Sequence, residues 1–181
     1  MHNIRSKMSI RCQLAAICAL AASVAGGLGH AGEPGADAAR LASQEAGLRM
    51  LLAPTGATVV HGESAVELHI PIRLAFVADR AELLPAGTAM LDAVARSLRE
   101  YKRTQVVVAV YTDTIGDSES NRQQAQARAG VVVAYLQIKG VAPERLVARG
   151  VGEAEQLPAP NTPEGRDLNR RLEMTITALS S

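Results

Sequence analysis

From Ala65 to Leu74 apolar and polar positions alternate, with Val66, Leu68, Ile70, Ile72 and Leu74 set against Glu67, His69, Pro71 and Arg73. A two-residue period predicts a half-buried strand, left unpaired on the side where Pro71 has no amide to donate. Before it, Ala57–His61 reads as another strand, joined by a turn containing Gly62. Further upstream, the spacing of Leu41, Leu48, Leu51 and Leu52 allows a short helix over Ala39–Leu52. After Pro85 the period changes. Met90, Leu91, Val94, Leu98 and Tyr101 recur at helical spacing and predict a helix to about Tyr101. Gln105–Thr112 is a continuous apolar run, the mark of a strand buried on both faces. A second helix, about Glu119 to Lys139, carries Ala125, Ala129, Val132, Val133 and Leu136 as its core stripe, and Gly140 stops it. Arg145–Val151 and Arg171–Ala178 follow as strands, the last alternating Leu172, Met174 and Ile176 with Glu173, Thr175 and Thr177.

Strand, helix, strand, helix, strand, strand is the order of a compact α/β two-layer sandwich: βαβαββ, a four-stranded sheet with its helices packed on one face. The expected folded domain is 65–181, preceded by a lead-in segment, 32–64, with a short helix and strand. The stretch 32–40 is rich in Gly, Pro and Ala and reads as flexible.

The first 31 residues change the charge picture. Arg5, Lys7 and Arg11 precede an apolar stretch from Leu14 to Gly29, and small residues follow, the pattern of a signal peptide cleaved after Ala31. A retained membrane anchor is the alternative. Lipidation at Cys18 is disfavoured, because bulky Ile17 precedes it and the apolar run continues past it. Losing three basic residues and no acidic ones takes the formal charge from +1 to −2. A near-neutral domain has no net basic field for nucleic acid or anionic lipid. Only Phe76, Tyr101, Tyr111 and Tyr135 are aromatic, too few for a base-stacking surface. Both cysteines, Cys12 and Cys18, lie in the signal, so the mature domain has no disulfide, thiolate nucleophile or Cys metal site.

Three polar stretches stand out against this background. In YTDTIG, Asp113 falls just past a buried strand, at the end of the sheet. Asn121 and Arg128 are seven residues apart, nearly two turns, and share a helix face. Asn161 to Glu173 leads into the last strand and adds Asn169 and Arg170. Together these resemble the C-terminal domain of the OmpA family, the peptidoglycan-binding module found also in Pal and MotB proteins. The matching positions are Thr112, Asp113 and Gly116; then Asn121, Arg128 and Ala129; then Asn161, Thr162, Gly165, Arg166, Asn169, Arg170, Arg171 and Glu173. Phe76, Ala81, Leu84 and Pro85, and the run RLVARGVGE from Arg145, extend the likeness over about 65–178.

The resemblance implies a non-enzymatic, cofactor-free protein of the periplasm, associated with the outer membrane and cell wall and binding peptidoglycan non-covalently. Its implied ligand is the diaminopimelate of the stem peptide, with Asp113 on the ammonium and Arg128 on the carboxylate, and Thr112, Asn121 and Arg170 completing the site. The pairing is chemically apt, since a zwitterion needs both signs and a guanidinium fork suits a carboxylate. Two positions depart from the family pattern: Val110-Tyr111 stand for Gly-His, and Gln124-Ala125 for Leu-Ser. An envelope assembly factor with a weakened wall pocket and an outer-membrane or envelope protein partner is therefore the second reading. A purely structural ion pair between Asp113 and Arg128 is also open. Enzyme readings lack parts. No His follows the GDSES run at Gly116–Ser120 to activate a serine, and His69 with Glu67 lacks a third metal ligand.

Overall fold

The computed structural model describes residues 34–179, which form one compact unit; the proposed signal, Cys12 and Cys18 lie outside the described residues. Among the described residues no helix is long and apolar enough to cross a membrane. The helices are α1 (Pro34–Leu52), α2 (Ile72–Ala75), α3 (Pro85–Glu100), α4 (Ser118–Ile138) and α5 (Pro163–Asn169). The strands are β1 (Thr58–His61), β2 (Ala65–Pro71), β3 (Thr104–Tyr111), β4 (Leu146–Gly152) and β5 (Arg171–Ala178).

The sheet has five strands, in the order β1-β2-β5-β3-β4, where four were expected. The fifth is β1. It pairs antiparallel with β2 from Thr58↔His69 to His61↔Val66 and buries Val59. Residues 34–40 are not a flexible lead-in either: they begin the 19-residue α1, whose Leu41, Leu48 and Leu52 enter the core. The helix is held by apolar burial in spite of its Gly and Pro content, as tertiary packing outweighs propensity. His61 Nδ1 on β1 lies 2.5 Å from Glu45 Oε2 on α1, locking the two additions together.

One strand boundary also moved. The alternation to Leu74 extends past the end of β2 at Pro71, because Ile72–Ala75 coil into the single turn of α2. Ile72 N donates to Arg170 O on the β5 side, so the preceding nitrogen, that of Pro71, faces the other edge, where β1 has already ended at Thr58. The missing donor costs nothing there.

Inward residues follow the two-residue period: Val66, Leu68 and Ile70 on β2, Val106, Val108 and Val110 on β3, and Leu172, Met174 and Ile176 on β5. They pack under α1, α3 and α4, which leaves the helices on one side of the sheet. The α4 stripe is Ala125, Arg128, Ala129, Val132 and Leu136, an arginine set among apolar positions. Gly140, at φ 89°, ends this helix in the left-handed turn that glycine adopts without strain.

Gly150 lets α4 lie against β4. A Cβ built there would stand 2.3 Å from Gln126 N, and the Gln126 side chain accepts a hydrogen bond from Gly150 N at 2.7 Å. Strand directions then decide where the loops gather. Register pairs Pro71 with Arg171, Val110 with Leu172 and Tyr111 with Gly152, so the 72–84, 112–117 and 153–170 connections all emerge at one end of the sheet.

Candidate functional site

Asp113 follows β3 by two residues and is 8% exposed, its carboxylate at the sheet end. Its Oδ1 accepts from Ile115 N at 3.2 Å, which folds the loop back toward α4. Its Oδ2 is ion-paired with Arg170 Nη1, and the other arm of Arg170 pairs with Asp167 of α5. Arg170 keeps an exposed side, with 42% of its side chain accessible.

Asn121 stands at the opening of α4. Its Nδ2 donates to Ile115 O and to Glu153 Oε2, both at 3.1 Å, so it ties the Asp113 loop to the end of β4. The helix start itself explains the GDSES run: Asp117 is the N-cap, with Oδ2 accepting from Ser120 N at 2.8 Å. That hydrogen bond holds the Asp117 carboxyl below its usual range. No catalytic role is needed for those serines.

Thr112 is buried. Its amide donates to Gly152 O, its carbonyl accepts from Gln156 Nε2, and its hydroxyl is sealed from solvent without a hydrogen bond. It braces the loop from beneath.

Arg128 is 5% exposed. Its guanidinium lies over the Phe76 ring, 5.5 Å from the centroid, and its Nε donates to Arg80 O at 3.0 Å. No carboxylate of the described residues comes within ion-pair distance of it, and its two terminal nitrogens make no hydrogen bond yet keep contact with solvent. Burial pushes its pKa down, opposed only by the more distant charge of Asp79.

Arg145 is the instructive contrast. It too is buried, but its guanidinium donates four hydrogen bonds, to Thr104 O, Leu98 O, Tyr101 O and Thr104 Oγ1, at 2.5 to 3.1 Å. One buried arginine is wholly consumed by the fold. The other retains an open fork.

Asn121 and Arg128 therefore share a helix face as their spacing demands, and Asp113 and Arg170 are brought together. Asp113 and Arg128 are not bonded to each other; each has its own partner, which removes the reading of a structural pair between them. Sequence reasoning missed Asp167 and Glu153, which hold Arg170 and Asn121, and it missed the role of Gln124. The Gln124 amide donates to Asp79 O at 3.2 Å, one turn from Arg128 and beside the carbonyl that Arg128 holds. Two successive carbonyls of the 76–84 loop are thus gripped by one face of α4, and Asp79 adopts a left-handed φ of 55°. The available signal was Arg128 itself, at a core-stripe position where an arginine without purpose is costly.

Tyr111 does not point into this site. It lies on the sheet face away from the helices, with the Arg171 guanidinium 3.7 Å above its ring. Burial, with the negative charge of Glu173 and Glu155, pushes its hydroxyl pKa up. On the same face His69 sits between Glu173, 3.2 Å from Nδ1, and Glu67, 3.6 Å from Nε2. Asn169 is fully buried and pins the loop through Leu157 N and Gly165 O.

This arrangement has counterparts. Over 136 residues the chain is 37% identical to a probable lipoprotein, YiaD, of Escherichia coli (strain K12), a match covering 75% of this chain and 62% of that protein. Over 103 residues it is 35% identical to the peptidoglycan-binding protein ArfA of Mycobacterium tuberculosis, 57% of this chain and 32% of that one. The chain thus spans less than two thirds of the length of these relatives. Among solved structures, the cell wall anchor of the T6SS from Pseudomonas aeruginosa superposes with a TM-score of 0.64 at 27% identity, covering 72% of this chain and 96% of that one. Residues 75–170, more than half the sequence and including Thr112, Asp113, Asn121, Arg128 and Arg170, match the OmpA family, and the chain belongs to that family.

Proposed function

We propose that this protein binds peptidoglycan non-covalently and holds its bearer at the cell wall of the envelope, acting as a binding module without a catalytic step. The ligand group is the diaminopimelate of the stem peptide. Arg128 takes its carboxylate through the free terminal nitrogens, and Asp113 takes its ammonium. Arg170, which already touches Asp113, adds a second cation at the rim, while Asn121 and Thr112 hold the loop in shape.

A single observation carries this reading: a buried guanidinium, desolvated and without an internal anion among the described residues, whose two terminal nitrogens make no internal hydrogen bond and are not fully sealed from solvent. Charge-assisted forked pairs with carboxylates are among the strongest side-chain contacts, and partial burial strengthens them. Family membership and the names of the relatives, a peptidoglycan-binding protein and a cell wall anchor, support the same ligand.

Co-sedimentation with purified sacculi tests it. Wild type is retained, and Arg128→Ala and Asp113→Ala are each released. Sacculi carrying lysine in place of diaminopimelate lack the side-chain carboxylate and retain none of the three. One observation favours the second reading, an envelope assembly factor: Asp113 is already engaged by Arg170. Wild type passing through diaminopimelate sacculi unretained would decide for it.

A further inference from the structure

Arg170 and Arg171, consecutive at the junction of α5 and β5, have different freedom. Arg171 is fixed: its guanidinium lies over the Tyr111 ring and its Nε donates to Glu173 Oε1 at 2.7 Å. Arg170 is anchored through its backbone, whose amide donates to Arg166 O and whose carbonyl accepts from Ile72 N, both at 3.0 Å. Its side chain is half-exposed and bridges two carboxylates, Asp113 of the β3 loop and Asp167 of α5. The two anchors are unlike. The Asp167 side chain is 58% accessible, whereas that of Asp113 is only 11% accessible, and Asp113 Oδ1 is already turned to Ile115 N. The oxygen left for a ligand ammonium, Oδ2, is the one that Arg170 occupies.

We propose that Arg170 is a specificity-determining residue of the wall site, plugging Asp113 against a bare ammonium and yielding it to a ligand that carries a carboxylate beside its ammonium. The inference rests on the diaminopimelate reading above and adds to it the rejection of stem peptides whose side-chain carboxylate is absent or amidated. The discrimination is an ion-pair exchange. An ammonium entering at Oδ2 expels the Arg170 guanidinium from a site with little solvent, and swapping one cation for another there gains nothing by itself. A zwitterion brings an anion with its cation. Its carboxylate has two oxygens and about four lone-pair sites, enough for the Arg128 fork and for the released arm of Arg170. Because both backbone groups of Arg170 are held independently, the side chain can change partner without moving the start of β5. The contact that engages Asp113 in the free protein is then the means by which its ligand is selected.

Isothermal titration calorimetry of the full chain with two soluble tetrapeptide stems tests this, one carrying diaminopimelate and the other diaminopimelate amidated on its side-chain carboxyl. The ammonium is the same in both, and only the acid has the carboxylate. Wild type prefers the acid by at least about 30-fold, the effect of removing one member of a partly buried charge pair. Arg170→Gln leaves nothing to expel, so the amide binds about fivefold more tightly than it does to wild type, the worth of one half-exposed ion pair. The acid gains nothing, and the preference narrows. Asp167→Asn acts in the opposite sense: it removes the anchor that keeps the expelled arm, weakens the amide and widens the preference. A bridge that merely braced the loop would weaken both ligands alike in both variants. That result, or an amide affinity unmoved by Arg170→Gln, overturns the proposal while wild-type binding of the acid upholds the wall reading. Wild type that binds neither stem, or both alike, overturns the two together. Circular dichroism of the same samples verifies the fold of each variant.

Discussion

Replacing Arg128 by methionine separates what this residue does for the fold from what it does for a ligand. The side chain keeps its length and apolar stem but loses its charge. On the folding side, one hydrogen bond to Arg80 O disappears, worth about 1 to 2 kcal/mol, together with the contact over Phe76, about 0.5 to 1 kcal/mol. Against this, a desolvated cation with no internal anion is removed, a relief of several kcal/mol. The balance is near zero or favourable to the variant. On the binding side, deleting one member of a partly buried charge pair costs about 2 to 5 kcal/mol, or at least about 30-fold in affinity. Arg145→Met behaves in the opposite sense. It strips the donor from three carbonyls, Thr104 O, Leu98 O and Tyr101 O, at about 1 to 3 kcal/mol each, a loss of about 3 to 9 kcal/mol and on the order of 10 to 20 °C in Tm. Thermal unfolding followed by circular dichroism, with sacculus co-sedimentation on the same samples, gives both readouts. An Arg128→Met protein that melts as early as Arg145→Met yet still sediments with sacculi would refute the assignment.

Other outcomes follow from the same contacts. His69 is raised from 6.5 to about 9, chiefly by its hydrogen bond to Glu173 and then by Glu67, so its stabilisation is complete below pH 6.5 and fades as pH rises through 9. His69→Gln flattens that alkaline decline, by about 1 to 2 kcal/mol after allowing for solvent screening, in urea titrations at pH 6 and about pH 9.5. Glu173, whose burial is overcome by His69 and Arg171, is held at about 2, so its contribution is present above pH 4.5 and is lost as pH falls toward 2. Glu173→Gln accordingly removes most of the acid-side slope in the same titrations. Gly150→Ala drives a methyl into the backbone of α4 and costs about 1 to 3 kcal/mol of unfolding free energy in urea titrations, with sacculus retention weakened because α4 carries Asn121 and Arg128.

Much of the fold was legible because burial writes a period into the chain. The alternation of β2 and β5 and the helical spacing of α3 and α4 name their core residues almost without error. Periodicity failed where packing overrode local preference. The Gly, Pro and Ala of 34–40 gave no sign that Leu41, Leu48 and Leu52 would draw them into a helix, and Ile72 and Leu74 kept an alternating pattern while the backbone coiled. In the site, residue types fixed which groups gather at one sheet end. They did not reveal the division of labour. That Arg170, not Arg128, is the partner of Asp113, and that Gln124 grips Asp79 O, depends on where a loop of nine residues lies against a helix.

β5 is the last strand among the described residues and the middle strand of the sheet, flanked by β2 and β3. Until Arg171–Ala178 has left the ribosome, the chain holds two unjoined half-sheets with open edges and no cooperative core. The domain therefore cannot close until Arg171–Ala178 is delivered, and a stop codon ahead of Arg171 yields protease substrate instead of a shortened domain.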